Sequence, residues 1–348
     1  MATTIIDVAK KAKVSVATVS RVINRSTIVK EETRQRVLRA IEECGYTYNA
    51  IARSLSTRKS VTIGVIVPAI TNPVFAQSTR GIQDFANSYG YSIILGNSDY
   101  LSEVEDRLIK VLKEKRVEGI ILTCSNIRHE YIQRLKHFNL PFVLLYNTLF
   151  DKELNFVTID NYKAAYEIME YLINLGHRRV GMIAGNFSMS DRSLVRSQAF
   201  QACLKDHRIP YQPQYLIETD LTFEGGRRAM QALLEITPPP TGIFCSNDFM
   251  AMGAMKTLRE NGLRIPEDIS IAGFDDIEMA SYFSPELTTI RQPAYQMGVK
   301  GAELLFKILS GELKGPQQTI LDHKLIIRNS CGPVNQFKES KGGGAVQP

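Results

Sequence analysis

The segment Val14-Ser-Val-Ala-Thr-Val-Ser-Arg-Val-Ile-Asn24 decides the fold of the first part of the chain. Its apolar residues recur at helical spacing, so we expect a helix over residues 16–24, and Ser15 is placed to cap the N-terminus of that helix. A short helix of this kind has a buried and an outer face. We expect Val19, Val22 and Ile23 on the buried face, and Val16, Ala17, Thr18, Ser20 and Arg21 on the outer face.

A second short helix is predicted immediately upstream, over residues 5–12. Thr4 and Asp7 form a variant of the capping box at its start. Lys13 occupies the tight turn between the two helices. Two short helices joined by a tight break, with small and polar residues facing outward on the second, are typical of a helix-turn-helix unit that places its second helix in the major groove of DNA.

A third helix and a linker complete this region. The third helix is predicted over residues 31–44, and Gly45 is its stop signal. In the linker, Asn49 can cap a short helix over residues 50–56, which is too short to be stable alone in water. This short helix would form only against a partner, so we interpret it as a hinge. The buried face of the third helix is predicted to contain Val37, Leu38 and Ile41.

The charge of the chain is distributed unevenly. Residues 1–60 contain twelve Lys and Arg residues and five Asp and Glu residues, a net charge of +7, whereas the whole chain carries +6. A small basic head on a nearly neutral body is expected for a protein that contacts phosphates. A basic surface that is merely solvated is the alternative.

Bulk composition limits the class of protein. The chain has 348 residues, of which 44% are hydrophobic and 22% charged, as in ordinary globular proteins of two or three domains. We find no signal peptide and no run of about 18 apolar residues, so we expect a cytoplasmic protein without a membrane span. The cysteines are scattered without metal-binding spacing, so we expect reduced thiols: Cys44, Cys124, Cys203, Cys245 and Cys331.

From Val61 onward, short apolar runs alternate with segments of helical periodicity. About ten strands are predicted between residues 61 and 290, among them 156–159, 216–219 and 242–245. This alternation is typical of doubly wound parallel sheets. Because these strands are too many for one small sheet, we expect two α/β lobes.

Several motifs, in order along the chain, resemble those of the LacI/GalR (lactose/galactose repressor) family. They include the 14–24 segment, Gly64-Val-Ile-Val-Pro-Ala-Ile-Thr-Asn-Pro-Val-Phe75, Gly176-His-Arg-Arg-Val180, Ser246-Asn-Asp248 and Gly273-Phe-Asp-Asp276. The resemblance extends from residue 4 to about residue 331. It implies an all-α helix-turn-helix head followed by an α/β core of two doubly wound parallel-sheet lobes, similar to periplasmic binding proteins.

The resemblance also implies domain boundaries. The helix-turn-helix domain, the hinge, the effector-binding core and a disordered tail would span residues 1–46, 47–60, 61–331 and 332–348 respectively. The chain would cross three times between the lobes of the core. Lobe one would hold about residues 61–161 and 291–320, and lobe two about residues 162–290 and 321–331.

Residues of the head and hinge are assigned to DNA by this resemblance. Val16, Ala17 and Arg21 hold the positions that the family uses to read bases, where short side chains contact thymine methyl groups and arginine contacts guanine. Leu55 would wedge between base steps in the minor groove, or alternatively pack on its own hinge partner. The remaining assigned residues are Thr4, Ser15, Thr18, Ser20, Asn24, Asn49 and Ala52.

The effector site is assigned in the same way. Arg196, Asn247 and Asp275 match the effector-binding positions of the family, and a guanidinium, an amide and a carboxylate together suit the hydroxyl groups of a sugar. Taken singly, they could be a solvated helix residue, an N-cap and a turn residue. Phe75 could equally belong to the core. The further candidates are Asn72, Phe75, Tyr146, Asn147, Ser190 and Arg192.

These features imply a dimeric repressor that binds a near-palindromic operator and is switched by a small carbohydrate-like effector. Whether the effector is an inducer or a corepressor stays open. We find no catalytic or metal-binding constellation, so we expect neither an enzyme nor a cofactor. The alternatives are a solute-binding protein, which the basic head argues against, and a sugar-metabolising enzyme, which would need a catalytic group.

Overall fold

The computed structural model describes residues 3–23, 28–45, 60–125, 129–147 and 153–334. The chain divides into two compact units, Met1–Ser60 and Val61–Pro348. No helix within the described ranges is long and apolar enough to cross a bilayer. The predicted hinge residues Asn49, Ala52 and Leu55, together with Asn24, lie outside the described residues.

The first unit is a bundle of three helices, α1 (Ile5–Ala12), α2 (Val16–Ile23) and α3 (Glu31–Glu43). At the start of α1, Asp7 Oδ2 accepts hydrogen bonds from the backbone N–H of Thr4 at 2.8 Å and from its hydroxyl at 2.7 Å. Ser15 Oγ accepts from the backbone N–H of Thr18 at 3.1 Å, so both predicted caps are confirmed. The three helices enclose a small core that includes Val8, Ala12, Val19, Val22, Val37 and Ala40.

One prediction for α3 is wrong. Leu38 is 49% exposed, and Val37 and Ala40 form the buried face with the half-buried Ile41. Residues at spacings of three and four share one face of a helix, and Leu38 is turned about 100° from Val37.

Lobe one is built on a six-stranded parallel sheet. Its strand order is β11-β5-β4-β3-β1-β2, so five of its strands come from the first part of the core and β11 is added from the C-terminal part. The strands are β1 (Thr62–Val67), β2 (Ser92–Asn97), β3 (Ile120–Leu122), β4 (Phe142–Leu145), β5 (Phe156–Ile159) and β11 (Gln318–Leu321).

Helices cover both faces of this sheet, as predicted for a doubly wound fold. Alternate residues of β1 belong to different cores: Ile63 and Val65 face one set of helices and Ile66 faces the other. Gly81 and Gly298 lie where two of these helices cross, and a Cβ at either would meet the backbone of the other helix. The helices are α4 (Pro73–Ser88), α5 (Ser102–Glu114), α6 (His129–His137) and α11 (Ala294–Ser310).

Lobe two is a four-stranded parallel sheet of order β7-β6-β8-β9. Its strands are β6 (Val180–Gly185), β7 (Leu216–Thr219), β8 (Gly242–Cys245) and β9 (Ser270–Ala272). The parallel pairing in both lobes confirms the predicted fold class. The helices that flank this sheet are α7 (Asn161–Asn174), α8 (Asp191–Asp206), α9 (Phe223–Leu234) and α10 (Asp248–Glu260).

A two-stranded antiparallel ribbon lies in the segments that connect the lobes. It pairs β10 (Thr289–Arg291) with β12 (Lys324–Ile326). The sequence did not predict β11 or β12, whose residues alternate only weakly between buried and exposed. The predicted tail was also too long, because Gly332 donates its N–H to Ser270 Oγ at 3.1 Å and Val334 donates its N–H to the carbonyl of Leu175 at 3.1 Å.

Candidate functional site

Eight side chains assigned to the effector from the sequence line one pocket between the lobes. Three lie beyond the carboxyl ends of lobe-one strands, and five come from lobe two. The carboxyl edge of parallel strands is where ligand clefts form in α/β folds. The eight residues are Asn72, Phe75, Tyr146, Ser190, Arg192, Arg196, Asn247 and Asp275. We call this cavity the polar pocket.

Arg196 lies on α8 at the centre of this pocket and is 5% exposed. Its Nε and Nη2 both donate to Asn161 Oδ1, at 3.0 and 2.8 Å, and Nη1 donates to the carbonyl of Ser246. The guanidinium lies 3.4 Å from the centroid of the Phe274 ring, a cation–π contact. Burial lowers the pKa of Arg196 to about 10, and the charge of Asp275 opposes that shift. The side chain is therefore a cation held in a fixed orientation.

Asp275 follows β9 and is the acidic counterpart of Arg196 in the pocket. Its Oδ1 accepts a hydrogen bond from Gln292 Nε2 at 2.6 Å. Burial raises the pKa of the Asp275 carboxyl, and Arg196 opposes that shift. The backbone of Asp275 has a φ of 127°, a positive value that few residues other than glycine adopt. Such strain persists where the surrounding structure enforces it, commonly at binding sites.

Three polar residues of the pocket also cap helices. Asn247 Oδ1 accepts from the N–H of Met250 at 2.7 Å, while its Nδ2 donates to the carbonyl of Leu221 at 3.2 Å. Asn72 and Ser190 cap α4 and α8 in the same way. The N-cap interpretation of Asn247 is thus correct, and it does not exclude a role in the pocket, since a cap places the side chain at the edge of the sheet.

Phe75 and Tyr146 form the apolar wall of the pocket on lobe one. Their rings meet edge to face with centroids 5.3 Å apart, and the Tyr146 hydroxyl donates to the carbonyl of Val74 at 3.2 Å. Tyr146 also has a positive φ, of 67°. Phe75 belongs to the core of the protein and also lines the pocket, so a place in the core does not exclude the predicted role in effector binding.

Two hydrogen bonds join the lobes beside the pocket. Asn147 Nδ2 of lobe one donates to Asp191 Oδ1 of lobe two at 3.1 Å, and Arg192 Nη1 of lobe two donates to the carbonyl of Cys124 at 3.3 Å. Arg192 also pairs with Asp191 at 3.1 Å. Asn147 does not line the pocket itself. These contacts tie the two lobes together beside the pocket.

Tyr100 is the main pocket residue that the sequence did not reveal. It follows the end of β2, has φ 60° and lines both the polar pocket and a second, adjoining cavity. Burial raises the pKa of Tyr100 to about 12, so its hydroxyl stays protonated and can donate. Applying the strand-end rule to every strand would have found it. Val74, Ser193, Leu221, Ser246 and Gln292 also line the pocket.

The outer face of α2 lies where the sequence predicts it. Val16 is 42% exposed, and Ala17 and Arg21 are exposed as well. Val19 and Val22 are buried beneath them. This leaves a short helix with a small apolar start and one arginine, which suits contact with base edges. Of the other assigned residues in the described part of the head, Thr4 and Ser15 are exposed and Thr18 and Ser20 are half-buried.

Groups of metal-ligating side chains are absent from the described residues. The five cysteines are free thiols, four of them buried. Burial raises the pKa of the Cys203 and Cys331 thiols to about 12, so neither is a ready nucleophile. The side chains gathered in the cleft therefore suit binding by hydrogen bonds and stacking.

A helix-turn-helix head and a two-lobed core with a polar pocket define a ligand-responsive DNA-binding protein. Residues 4–49 match the bacterial regulatory proteins of the lacI family, and residues 60–329 match the family of periplasmic binding proteins and sugar-binding domains of the LacI family. The chain therefore belongs to the LacI family of transcriptional regulators.

Individual relatives agree with this assignment. Catabolite control protein A of Priestia megaterium is 36% identical over 330 residues, covering 95% of this chain and 99% of the relative. The transcriptional repressor CytR of Escherichia coli (strain K12) is 38% identical over 330 residues, covering 94% and 96%.

Solved structures agree as well. The Lac repressor dimer bound to operator and the anti-inducer ONPF has a TM-score of 0.86 at 28% identity, covering 95% of this chain and 100% of that one. The transcriptional regulator CelR in complex with cellobiose has a TM-score of 0.73 at 30% identity, covering 94% and 99%.

Proposed function

We propose that this protein is a dimeric repressor that binds a near-palindromic operator through its N-terminal helices and a small, carbohydrate-like effector in the polar pocket. The observation that carries the proposal is the convergence of Arg196, Asn247 and Asp275 in one pocket between two lobes. The pocket offers a guanidinium, an amide and a carboxylate, which together can pair with the vicinal hydroxyls of a sugar.

The head supplies the DNA contacts in this proposal. Val16 and Ala17 present small apolar surfaces to bases, and Arg21 donates to guanine. Thr4, Ser15, Thr18, Ser20 and Asn24 contact phosphates and set the register of the helix. The charge of +7 on residues 1–60 supplies the attraction that does not depend on sequence. In the hinge, Asn49, Ala52 and Leu55 enter the minor groove.

In this proposal, the effector site and the DNA-binding head are coupled through the arrangement of the two lobes. A ligand that binds between them changes the balance between closed and open arrangements by its differential affinity for the two. Asn147, Asp191 and Arg192 bridge the lobes beside the polar pocket, so this bridge is the element that a ligand would strengthen or replace. An inducer would favour the form released from DNA, and a corepressor the bound form.

The proposal includes a location and a mode of action. In this proposal the protein acts on operator DNA within the cytoplasm. We propose that it acts by binding, since its relatives are transcriptional regulators and the carboxylates of Asp275 and Asp276 are engaged by arginine and glutamine partners. We retain the predicted limits of residues 1–46 and 47–60 for its head and hinge, and we extend the core from residues 61–331 to residues 61–334.

Fluorescence anisotropy with near-palindromic DNA from upstream of the protein's own and adjacent genes tests this function. We expect saturable binding whose affinity falls steeply with salt, and loss of about 1–3 kcal/mol on Arg21→Ala. Arg264→Ala, a change to an exposed arginine in lobe two, is the matched control and should bind as the native protein does. Absence of salt-dependent binding to every such site would disprove the proposal.

A further inference from the structure

Glu105 is a buried carboxyl group that lies outside the polar pocket. It belongs to the first turns of α5 and is fully buried. Its Oε1 accepts hydrogen bonds from the backbone N–H of Ser125 at 2.8 Å and from the Ser125 hydroxyl at 2.7 Å. Its Oε2 is buried without a hydrogen-bond partner among the described residues. Burying a carboxyl group is costly unless its contacts compensate, so the contacts with Ser125 indicate what this residue does.

The N–H that Glu105 binds belongs to the peptide group between Cys124 and Ser125. Because a peptide group is planar and trans, holding its N–H also fixes the direction of its C=O, which points the opposite way. This C=O is the carbonyl of Cys124, which accepts from Arg192 Nη1 of lobe two at 3.3 Å and from Asn147 Nδ2 at 2.9 Å. A hydrogen bond to the N–H also polarises the C=O and strengthens it as an acceptor. Glu105 and Arg192 thus hold opposite ends of one peptide group.

Both hydrogen bonds between the lobes depend on the backbone of Cys124. Arg192 donates to its carbonyl, and the side chain of Asn147, which donates to Asp191 across the cleft, is held by both the N–H and the C=O of Cys124. In the described part of the chain, the hydrogen bonds of Glu105 itself all stay within lobe one. Glu105 can therefore affect lobe two only through this backbone or through its charge.

We propose that Glu105 is a positioning residue for the bridge between the lobes, which it supports by orienting the peptide group of Cys124 and Ser125 toward Arg192. The requirement is a hydrogen-bond acceptor at the reach of a glutamate side chain, and not a negative charge. The regulatory meaning of this inference rests on the proposed function, in which a ligand strengthens or replaces the bridge. Glu105 does not line the polar pocket.

Hydrogen exchange of the full-length protein, without DNA or sugar, tests this inference. The readout is the start of α8 in lobe two, measured in peptides that span residues 188–196. Amides in the first turn of a helix have no carbonyl partner within that helix, so their protection depends on burial at the cleft, where Ser190, Arg192 and Ser193 are buried. A merely structural role of Glu105 in lobe one would leave this readout unchanged.

Two substitutions separate reach from charge. Glu105→Asp keeps the carboxyl group but shortens the side chain by one bond, about 1.5 Å, so we expect exchange in the α8 peptides to increase about five-fold or more. Glu105→Gln keeps an oxygen at the same reach. Burial raises the pKa of the Glu105 carboxyl, so an uncharged amide is a close mimic, and exchange should stay within about two-fold of native. Glu103→Asp and Glu103→Gln, at an exposed position of α5, are the matched controls and should leave exchange unchanged.

A double-mutant cycle shows whether Glu105 acts through the bridge. Arg192→Met removes the donor that lobe two directs at the Cys124 carbonyl. In this background Glu105→Asp should change exchange of the α8 peptides by less than about two-fold, because residues of one hydrogen-bond network do not act additively. Native exchange in strands β6 and β8 reports that lobe two stays folded in each variant.

The outcomes decide this inference separately from the proposed function. Native exchange of the α8 peptides in Glu105→Asp, or an equal increase in Glu105→Gln, overturns it. An effect of Glu105→Asp that keeps its full size beside Arg192→Met, or that extends to β6 and β8, also overturns it, because Glu105 then acts by another route or on stability in general. Operator binding is measured independently, and its absence would disprove the proposed function while leaving the exchange results in force.

Discussion

Arg196 makes three hydrogen bonds within the protein, and these decide what its removal costs. Its guanidinium satisfies Asn161 Oδ1 and the carbonyl of Ser246, both buried. In Arg196→Met these acceptors lose a buried donor, so we expect the free energy of unfolding to fall by about 1–3 kcal/mol. We also expect sugar affinity to fall by at least about ten-fold, with operator affinity in the absence of sugar unchanged.

Urea unfolding and titration with whichever sugar of a panel binds the native protein most tightly measure the two effects. Arg264→Met is the matched control, because Arg264 lies in the same lobe with an exposed side chain paired to Asp268. Surface pairs of this kind contribute little, so neither quantity should change. Native-like sugar binding by the folded Arg196→Met protein would show that the guanidinium is only structural.

The carboxyl of Asp248 is a second buried ionisable group, and it makes the free energy of unfolding depend on pH. Asp248 is fully buried beside Asp275, and its carboxyl accepts from the Thr289 hydroxyl at 2.6 Å and the N–H of Ile277 at 2.9 Å. Burial raises the pKa of Asp248. Above about pH 3.9, the ordinary pKa of an aspartate, the folded protein therefore keeps a proton that the unfolded chain loses. The free energy of unfolding consequently declines as the pH rises.

Asp248→Asn removes this titration. We expect the stability of the variant, relative to that of the native protein, to increase between about pH 4 and neutral pH, because only the native protein must then bury a charge or keep a proton. Chemical unfolding at a series of pH values measures the difference. Asp322→Asn, at an exposed position, is the control. If the stability of the variant relative to the native protein stays constant or declines as the pH rises, the pKa of Asp248 is not raised by folding.

At the scale of elements, two turns of the head have a residue with positive φ, Lys13 between α1 and α2 and Gly45 after α3, and they differ in strain. Lys13 ends α1 in the left-handed region with φ 53° and ψ 47°, where a side chain costs about 1–2 kcal/mol. Gly45 follows α3 with φ 57°, and a Cβ there would meet nothing within 4 Å. Backbone conformation alone thus decides the effect of substitution at either turn.

Lys13→Gly and Gly45→Ala should therefore act in opposite directions. We expect Lys13→Gly to stabilise the helices of the head by up to about 1 kcal/mol, and Gly45→Ala to destabilise them by about the same amount. Hydrogen exchange of the backbone amides of α1, α2 and α3 in the intact protein measures both. The same sign for both variants would mean that contacts of Lys13, and not its backbone, determine the stability of the turn.

Elements with strong periodicity were predictable from sequence, and marginal ones were not. Residues 156–159, 216–219 and 242–245 form strands with the predicted bounds, because each is a short run dominated by apolar and β-branched residues. The strands β11 and β12 were missed, since edge and connecting strands are held by their partners and not by their own pattern.

The pocket was predictable in part for a similar reason. Polar residues at strand ends, such as Asn72 and Asn247, can be located once the strands are known. Phe223 and Phe249, which line the cavity that adjoins the pocket, could not be located, because a phenylalanine at the start of a helix has the same pattern whether it enters the core or lines a cavity. Only the packing of α9 on α10 brings the two rings together.

At the scale of the whole molecule, a dimer needs apolar surface that a single chain leaves uncovered. On lobe one, Ile94 and Leu95 of the edge strand β2 are 37% and 44% exposed, and on lobe two Tyr282 is 78% exposed. A stable interface buries about 1,200–2,000 Å² in total. In a symmetric dimer each patch meets the partner's equivalent surface, so one substitution changes the interface twice.

We therefore expect Leu95→Glu and Tyr282→Asp each to convert the dimer into monomers, because each places two buried carboxylates in the interface. Analytical ultracentrifugation at micromolar concentration measures the mass. Operator affinity should fall by at least about 100-fold, since two linked heads gain from effective concentration and one head does not. Tyr211→Asp, on lobe two with 40% exposure, should stay dimeric. If both variants stay dimeric with native operator affinity, the subunits associate through other surfaces.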